Sequence, residues 1–202
     1  MSRIDPVTLT QGADDMLLKT EDPLHRQILE NYRRHAILEV TGEWEQIFEP
    51  DMTVAEPVYY MNSRGGSVTL SGYKAVSSYY ASLAESERTV MILENEQLAV
   101  ADWGFASEAI FNIFISGETA AARWARGEGG FDGEPGKFYI SKELKCMHWP
   151  YDERGRLIGE HVYVHDDSTT VVEILEEDFI TLEEVRAALL PGLRPLPEFS
   201  GK

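Results

Sequence analysis

At 202 residues, 43% apolar and 26% charged, the chain has the composition of one soluble globular domain with decorated ends, and no apolar run is long enough to span a bilayer. Eighteen Lys and Arg against 35 Asp and Glu leave a formal charge of −17, a field that repels phosphate backbones and anionic lipid, so neither nucleic acid nor a membrane surface is an expected partner. A single cysteine, Cys146, excludes an internal disulfide, and Met1 to Leu18 has neither a basic nor an apolar leader region; both predict a reducing cytoplasm.

Residues 1–20 are polar apart from Met16, Leu17 and Leu18 and read as an arm that docks late or frays. Asp22 before Pro23 opens a helix, an acceptor side chain ahead of a proline that fits the first turn. Leu24, Ile28, Tyr32 and Ala36, with Leu29 and Val40, make one apolar face of it, and Gly42 ends it. A short helical stretch, Glu43 to Phe48, leads through Pro50 into a strand over Met52 to Tyr60, where Pro57 predicts an edge or a bulge. Asn62 to Ser67, with Arg64, Gly65 and Gly66, is expected as a loop. A third helix runs from about Gly72 to Ala84, with Val76, Tyr79, Tyr80 and Leu83 on its buried side.

Long strands follow at Arg88 to Val100, Ser107 to Ser116, Phe138 to Trp149 and Arg156 to His165, the last two joined by a hairpin turn at Tyr151 to Gly155. Between the second and third, Glu118 to Gly136 holds Gly127, Gly129, Gly130, Gly133 and Gly136 and is expected as one long mobile loop over a pocket. After a strand-like tail at Thr170 to Leu175, Thr181 and Glu184 form a capping box for a helix that Pro191 and Gly192 stop. Helices first and an antiparallel meander after predict an α+β fold in which a curved sheet wraps packed helices, as a cone with a pocket at its open end. The divisions are an arm at 1–20, one domain at 21–176 and a helical extension at 177–202.

Several segments resemble a known superfamily. Tyr32 to Val58, with Pro50, Asp51, Met52, Thr53, Val54, Ala55, Glu56 and Pro57, is similar to the opening of ketosteroid isomerases; Ser71, Gly72, Ala75, Val76, Tyr79 and Tyr80 resemble the second helix of that superfamily. The hairpin with Asp152, Gly155, Arg156, Leu157 and Ile158 is similar to the last strand pair of SnoaL-like proteins. The resemblance to SnoaL-like and nuclear transport factor 2-like proteins implies a cone-shaped α+β fold, a homodimer, and a lyase, isomerase or cyclase that works without a cofactor. It also implies roles: Glu56 as the proton-shuttling base, Tyr32 as an oxyanion donor and Tyr80 as its support. Met147 stands where the isomerases have a protonated aspartate and cannot donate a hydrogen bond, which argues against ketosteroid isomerisation itself.

A carboxylate in an apolar pocket gains basicity, which suits Glu56 to proton abstraction; a strand-end carboxylate exposed beside Pro57 is the plainer reading. Tyr32 on an apolar helix face is most simply core, and His35, one turn later, is either a proton shuttle or a surface group among Arg33 and Arg34. On the last strand Ile158, Glu160, Val162 and Val164 share one face, expected inward, so Glu160 is a second pocket carboxylate, whereas His161, Tyr163 and His165 share the other, where with Leu144 they would form a dimer surface. Tyr79, Trp103, Met147 and Trp149 are the expected substrate contacts, in a cavity suited to a hydrophobic or aromatic small molecule.

His161 and His165 lie four apart on a strand, roughly 13 Å at the usual rise, too far to share one metal ion. The glycines of 127–136 carry no Lys followed by Ser or Thr, so no phosphate loop is expected, and neither a metal nor an organic cofactor is. The rival to an enzyme is a non-catalytic ligand-binding or assembly protein using the same cavity. The discriminating observation is whether Tyr32, Glu56 and Tyr80 converge on one enclosed pocket.

Overall fold

The computed structural model describes residues 3–63, 65–86 and 88–199; Arg64 of the expected loop and the ends of the expected arm and extension lie outside them. The arm is helical and docked: Asp5 caps a 3-10 turn at Pro6–Thr10, and α1 follows at Gln11–Leu17. Leu9, Ala13 and Leu17, spaced by fours, are buried, which is the pattern that the many polar neighbours obscure. α2 spans Pro23–Thr41, opened by the Asp22 side chain, which accepts from the Leu24 and His25 amides, and closed by Gly42 at φ 76°.

After a 3-10 turn at Trp44–Phe48 the chain runs irregularly through 52–57, where Thr53 bridges Leu157, and only then enters β1, Val58–Ser63. The strand expected from Met52 therefore starts later, after Pro57, which has no amide proton to give a ladder. Asn62, Ser63, Gly66 and Ser67 of the expected loop belong instead to the paired strands of a hairpin, with β2 at Gly66–Ser71. α3 is Tyr73–Glu85, β3 Met91–Ala101 and β4 Gly104–Ser116. The segment expected as one long loop begins as a helix, α4, Gly117–Ala125, because Ser116 caps the Thr119 amide and an alanine-rich turn follows; the glycines all lie beyond it. β5 is Phe138–Pro150, β6 only His161–Val164, and β7 is Thr170–Ile174. α5, Leu182–Leu189, carries the expected capping box between Thr181 and Glu184.

The sheet runs β2-β1-β6-β5-β4-β3, and its ends, β2 and β3, do not meet, so it curves without closing. β5 is long enough to hold two partners along one edge: its first half pairs with β7 and its second half with β6. β1 joins β6 in parallel, with Met61 opposite Val162. α2 lies in the hollow, its Tyr32 ring 4.4 Å from Phe105 and 5.4 Å from Trp149. Ile28, Ile37, Tyr59, Ile92 and Phe105 are fully enclosed there, each such side chain contributing about 1.5–3 kcal/mol of transfer free energy. The extension closes back on α2: Arg186 donates to the Thr41 carbonyl at 2.8 Å and Arg33 to that of Gly192 at 2.9 Å. This is the cone-shaped α+β arrangement. No helix among the described residues is long and apolar enough to cross a membrane.

Candidate functional site

Three elements bring a set of titratable side chains together inside the cone: His35 and Glu39 from α2, Tyr80 from α3, and Tyr59 and Glu160 from the β1 and β6 seam. Tyr80 Oη is the hub, 2.9 Å from His35 Nε2, 3.1 Å from Tyr59 Oη and 3.0 Å from Glu160 Oε1. One hydroxyl has one proton and two acceptor sites. When Tyr80 donates to Glu160, it accepts from His35 and Tyr59, which places the His35 proton on Nε2 and leaves the buried Nδ1 as a lone pair without a partner among the described residues. His35 Nε2 also lies 3.4 Å from Glu160 Oε1 and 3.6 Å from Glu39 Oε2.

The backbone explains why Glu160 is there. A Cβ on Gly159 would lie 1.8 Å from the Val58 carbonyl oxygen, so only glycine lets the chain press against β1 at this point. The Glu160 carbonyl then accepts the Tyr60 amide at 2.7 Å, and its side chain turns inward. Burial raises the Glu160 carboxyl well above the usual carboxylate range, and the neighbouring Glu39 charge raises it further, against the Tyr59 and Tyr80 hydroxyls and Lys145, which lower it. Burial and the Glu160 charge push the Tyr59 and Tyr80 phenols up as well.

Above this cluster, at the open end, is a cavity of about 650 Å³. Met61, Val162 and Val164 line it from the sheet, Tyr79 from α3, and Phe131 from the glycine-rich stretch. Glu143 and Lys145 of β5 project into it, paired at 3.1 Å, with the Lys145 ammonium over the Phe111 ring at 4.6 Å from its centroid. Tyr79 stacks edge-on against Tyr80, 5.8 Å between centroids, and Val162 is two residues from Glu160, so the cavity floor adjoins the hub.

The expected residues fall into three groups. His35, Tyr80 and Glu160 come together. Tyr32 belongs to another centre, donating at 2.5 Å to Glu96, whose carboxyl is raised by burial. Glu56 is exposed before β1, its carboxylate over Gly72, so Tyr32, Glu56 and Tyr80 do not converge. The reason is Pro57: with no strand before it, the Glu56 side chain has no inward face to occupy. Of the expected substrate contacts, Tyr79 lines the cavity, whereas Met147 and Trp149 are buried in the core beside it. Trp103 lies in the turn between β3 and β4, half exposed and edge-on to His148, on the outer side.

Tyr59, Glu39 and Glu96 were not expected. Period-two alternation pairs Tyr59 with Met61 on the inward face, and Glu39 is one turn beyond His35, so both had a signal; Glu96 had none, because a bulge between Glu94 and Gln97, with Asn95 at φ 57°, resets the alternation. Among the described residues no group of three or more His, Cys, Asp or Glu has metal-holding geometry.

No family model matches the sequence, and no curated protein does. Among solved structures the chain is similar to a putative SnoaL-like polyketide cyclase from Jannaschia sp. CCS1, at 13% identity over 72% of this chain and 90% of that one, with a TM-score of 0.46. It is similar also to Bal32a from a soil-derived mobile gene cassette, at 13% identity over 71% and 92%, TM-score 0.45. The CaMKII hub of S. rosetta aligns at 12% identity over 72% and 98%, TM-score 0.42. At these values the likenesses concern the path of the chain and carry nothing about its chemistry.

Proposed function

We propose that this chain is a cofactor-independent lyase, isomerase or cyclase that moves a proton by general acid–base chemistry on a hydrophobic or aromatic small molecule held in the mouth cavity. The observation that carries the reading is the buried Glu160 carboxyl, raised above the usual carboxylate range by burial and wired to Tyr80 and His35. A carboxyl so raised is a stronger base than a free one, and a general acid–base group typically contributes about 10²- to 10⁴-fold in rate. Tyr80 passes hydrogen-bond polarity between Glu160 and His35, and the Glu39 charge adds to the burial that disfavours ionisation of Glu160. Glu160 thus takes the part that the resemblance gave to Glu56.

The exposed position of Glu56 and the filled centre of the cone support a second reading, a non-catalytic protein that binds a ligand in the same cavity or assembles through its sheet. We place either protein in the cytoplasm as a homodimer, joined at the outer sheet face where Tyr60, Trp103, His148, His161 and Tyr163 form one aromatic and imidazole surface. A screen of aromatic and polycyclic carbonyl compounds for turnover, repeated with Glu160→Gln, separates the two readings. Turnover lost in the variant supports the enzyme; a ligand bound equally by both proteins and converted by neither supports the binder.

A further inference from the structure

Arg88 and Arg123 are anomalous in a chain with so large an excess of acidic groups. Arg88 lies on the cavity wall between α3 and β3, and its Nε is buried with no hydrogen-bond partner among the described residues. Arg123, from α4, lies near enough for the two charges to interact; its Nε is likewise buried and unbonded among the described residues, 3.9 Å from the Glu128 carboxylate, while its Nη2 donates to the Glu128 carbonyl at 3.5 Å. Burial first, and then the Arg88 charge, hold the Arg123 guanidinium below its ordinary range. Two of the carboxylates near the pair are already engaged; Asp166 also lines the cavity, and Glu85 shares a second pocket with Arg88. Glu143 is held by Lys145 at 3.1 Å, and Glu128 is held by Arg126 through two bonds of 2.5 and 3.0 Å.

A half-buried guanidinium with an unused donor is an incomplete site: its planar fork is shaped for two oxygens of one oxyanion. Tyr79, Phe131 and Val162 give the same space an apolar stretch, beside the polar side made by Ser141, Glu143 and Lys145. We propose that the mouth cavity selects a carboxylic acid with an aromatic or hydrophobic body, its carboxylate on Arg88 with Arg123 in support. The apolar body then points down toward Tyr79 and Val162. Carboxylate is favoured over phosphate because Glu143 and Glu128 remain nearby and would repel a second negative charge. This inference rests on the mouth cavity being the ligand site and names the substrate class for it; it does not require turnover.

The test is equilibrium binding, by ligand-observed NMR and calorimetry, of matched acid and amide probes: benzoate and benzamide, 2-naphthoate and 2-naphthamide, 4-phenylbutanoate and its amide. At least one acid is expected to bind about tenfold or more tightly than its amide, as a charge-assisted bidentate contact implies. Arg88→Gln should abolish that preference, and Arg88→Lys should restore it only in part. Urea midpoints show whether each variant is folded. The inference is overturned if no acid of the set binds, if acids and amides bind alike, or if folded Arg88→Gln keeps the preference. Loss of the preference in Arg88→Gln with no turnover of any acid would uphold the site and sink only the acid–base reading.

Discussion

The Glu96 carboxylate occupies the place that a Cβ on Gly12 would take: Oε2 lies 2.0 Å from that position while Oε1 accepts the Tyr32 hydroxyl at 2.5 Å. The second residue of α1 thus keeps the bulged end of β3 pointed at α2. In an ordinary helix Gly→Ala stabilises by up to about 1 kcal/mol. Here Gly12→Ala should destabilise by about 1 kcal/mol, because Glu96 must leave the Tyr32 hydroxyl. Urea unfolding checks it, and in a Tyr32→Phe background the loss should shrink; a stabilised Gly12→Ala would contradict the packing.

Tyr80→Phe should cost more. Removing the hub hydroxyl leaves His35, Tyr59 and Glu160 each short of a buried partner, and unsatisfied buried groups cost about 1–3 kcal/mol apiece, not additively. Tyr59→Phe removes only one bond to the hub and should cost less. An equal loss in the two variants would show that Tyr80 is not the centre of the network.

Stability should fall as pH rises. The folded Glu160 carboxyl is raised by burial and by Glu39, so the folded state keeps a proton that the unfolded chain releases near about pH 4.3. The stabilisation is fully present below that value and is lost as pH climbs through the folded value. Glu160→Gln cannot ionise, so the variant should gain on the wild type between pH 5 and pH 8. The check is the difference in urea midpoint at the two pH values; a constant difference would mean that Glu160 is not titrating in the core.

The outer sheet face should be a subunit interface. Sedimentation equilibrium of the wild type should give twice 22.8 kDa, and Tyr163→Glu, which puts a charge beside His148, should give the single mass. A wild type that sediments at 22.8 kDa at micromolar concentration would remove the dimer.

Much of this fold is written locally. Asp22 and Gly42 bound α2, the Thr181 and Glu184 pair opens α5, and the 138–150 strand follows from its length and residue types. Alternation placed Glu160 and Val162 inward, and the seam with β1 holds that period from His161 to Tyr163, whereas Ile158, expected on the same face, is exposed because β6 has not yet begun there. What stayed hidden depends on contacts distant in sequence. Glu56 matches a motif whose meaning requires a strand through Pro57, and Tyr32 faces inward but meets Glu96 only because of a bulge 64 residues away. The Arg88 Nε, unbonded among the described residues, has no sequence signature, since a missing partner is visible only when the neighbours are placed.

The parallel seam between β1 and β6 has a kinetic meaning. It joins Met61 to Val162, and every other strand of the sheet except β7 lies between them in the chain. Closing so long a loop is slow, since its entropy is lost before any contact repays it. The β1 and β2 hairpin must therefore wait, with one edge open, until β5 has presented β6. Glu160 enters the interior with that strand, so Tyr59, Tyr80 and His35 acquire their carboxyl partner only once this long-range pairing forms, and a chain that stalls before it carries an exposed strand edge and an incomplete buried cluster.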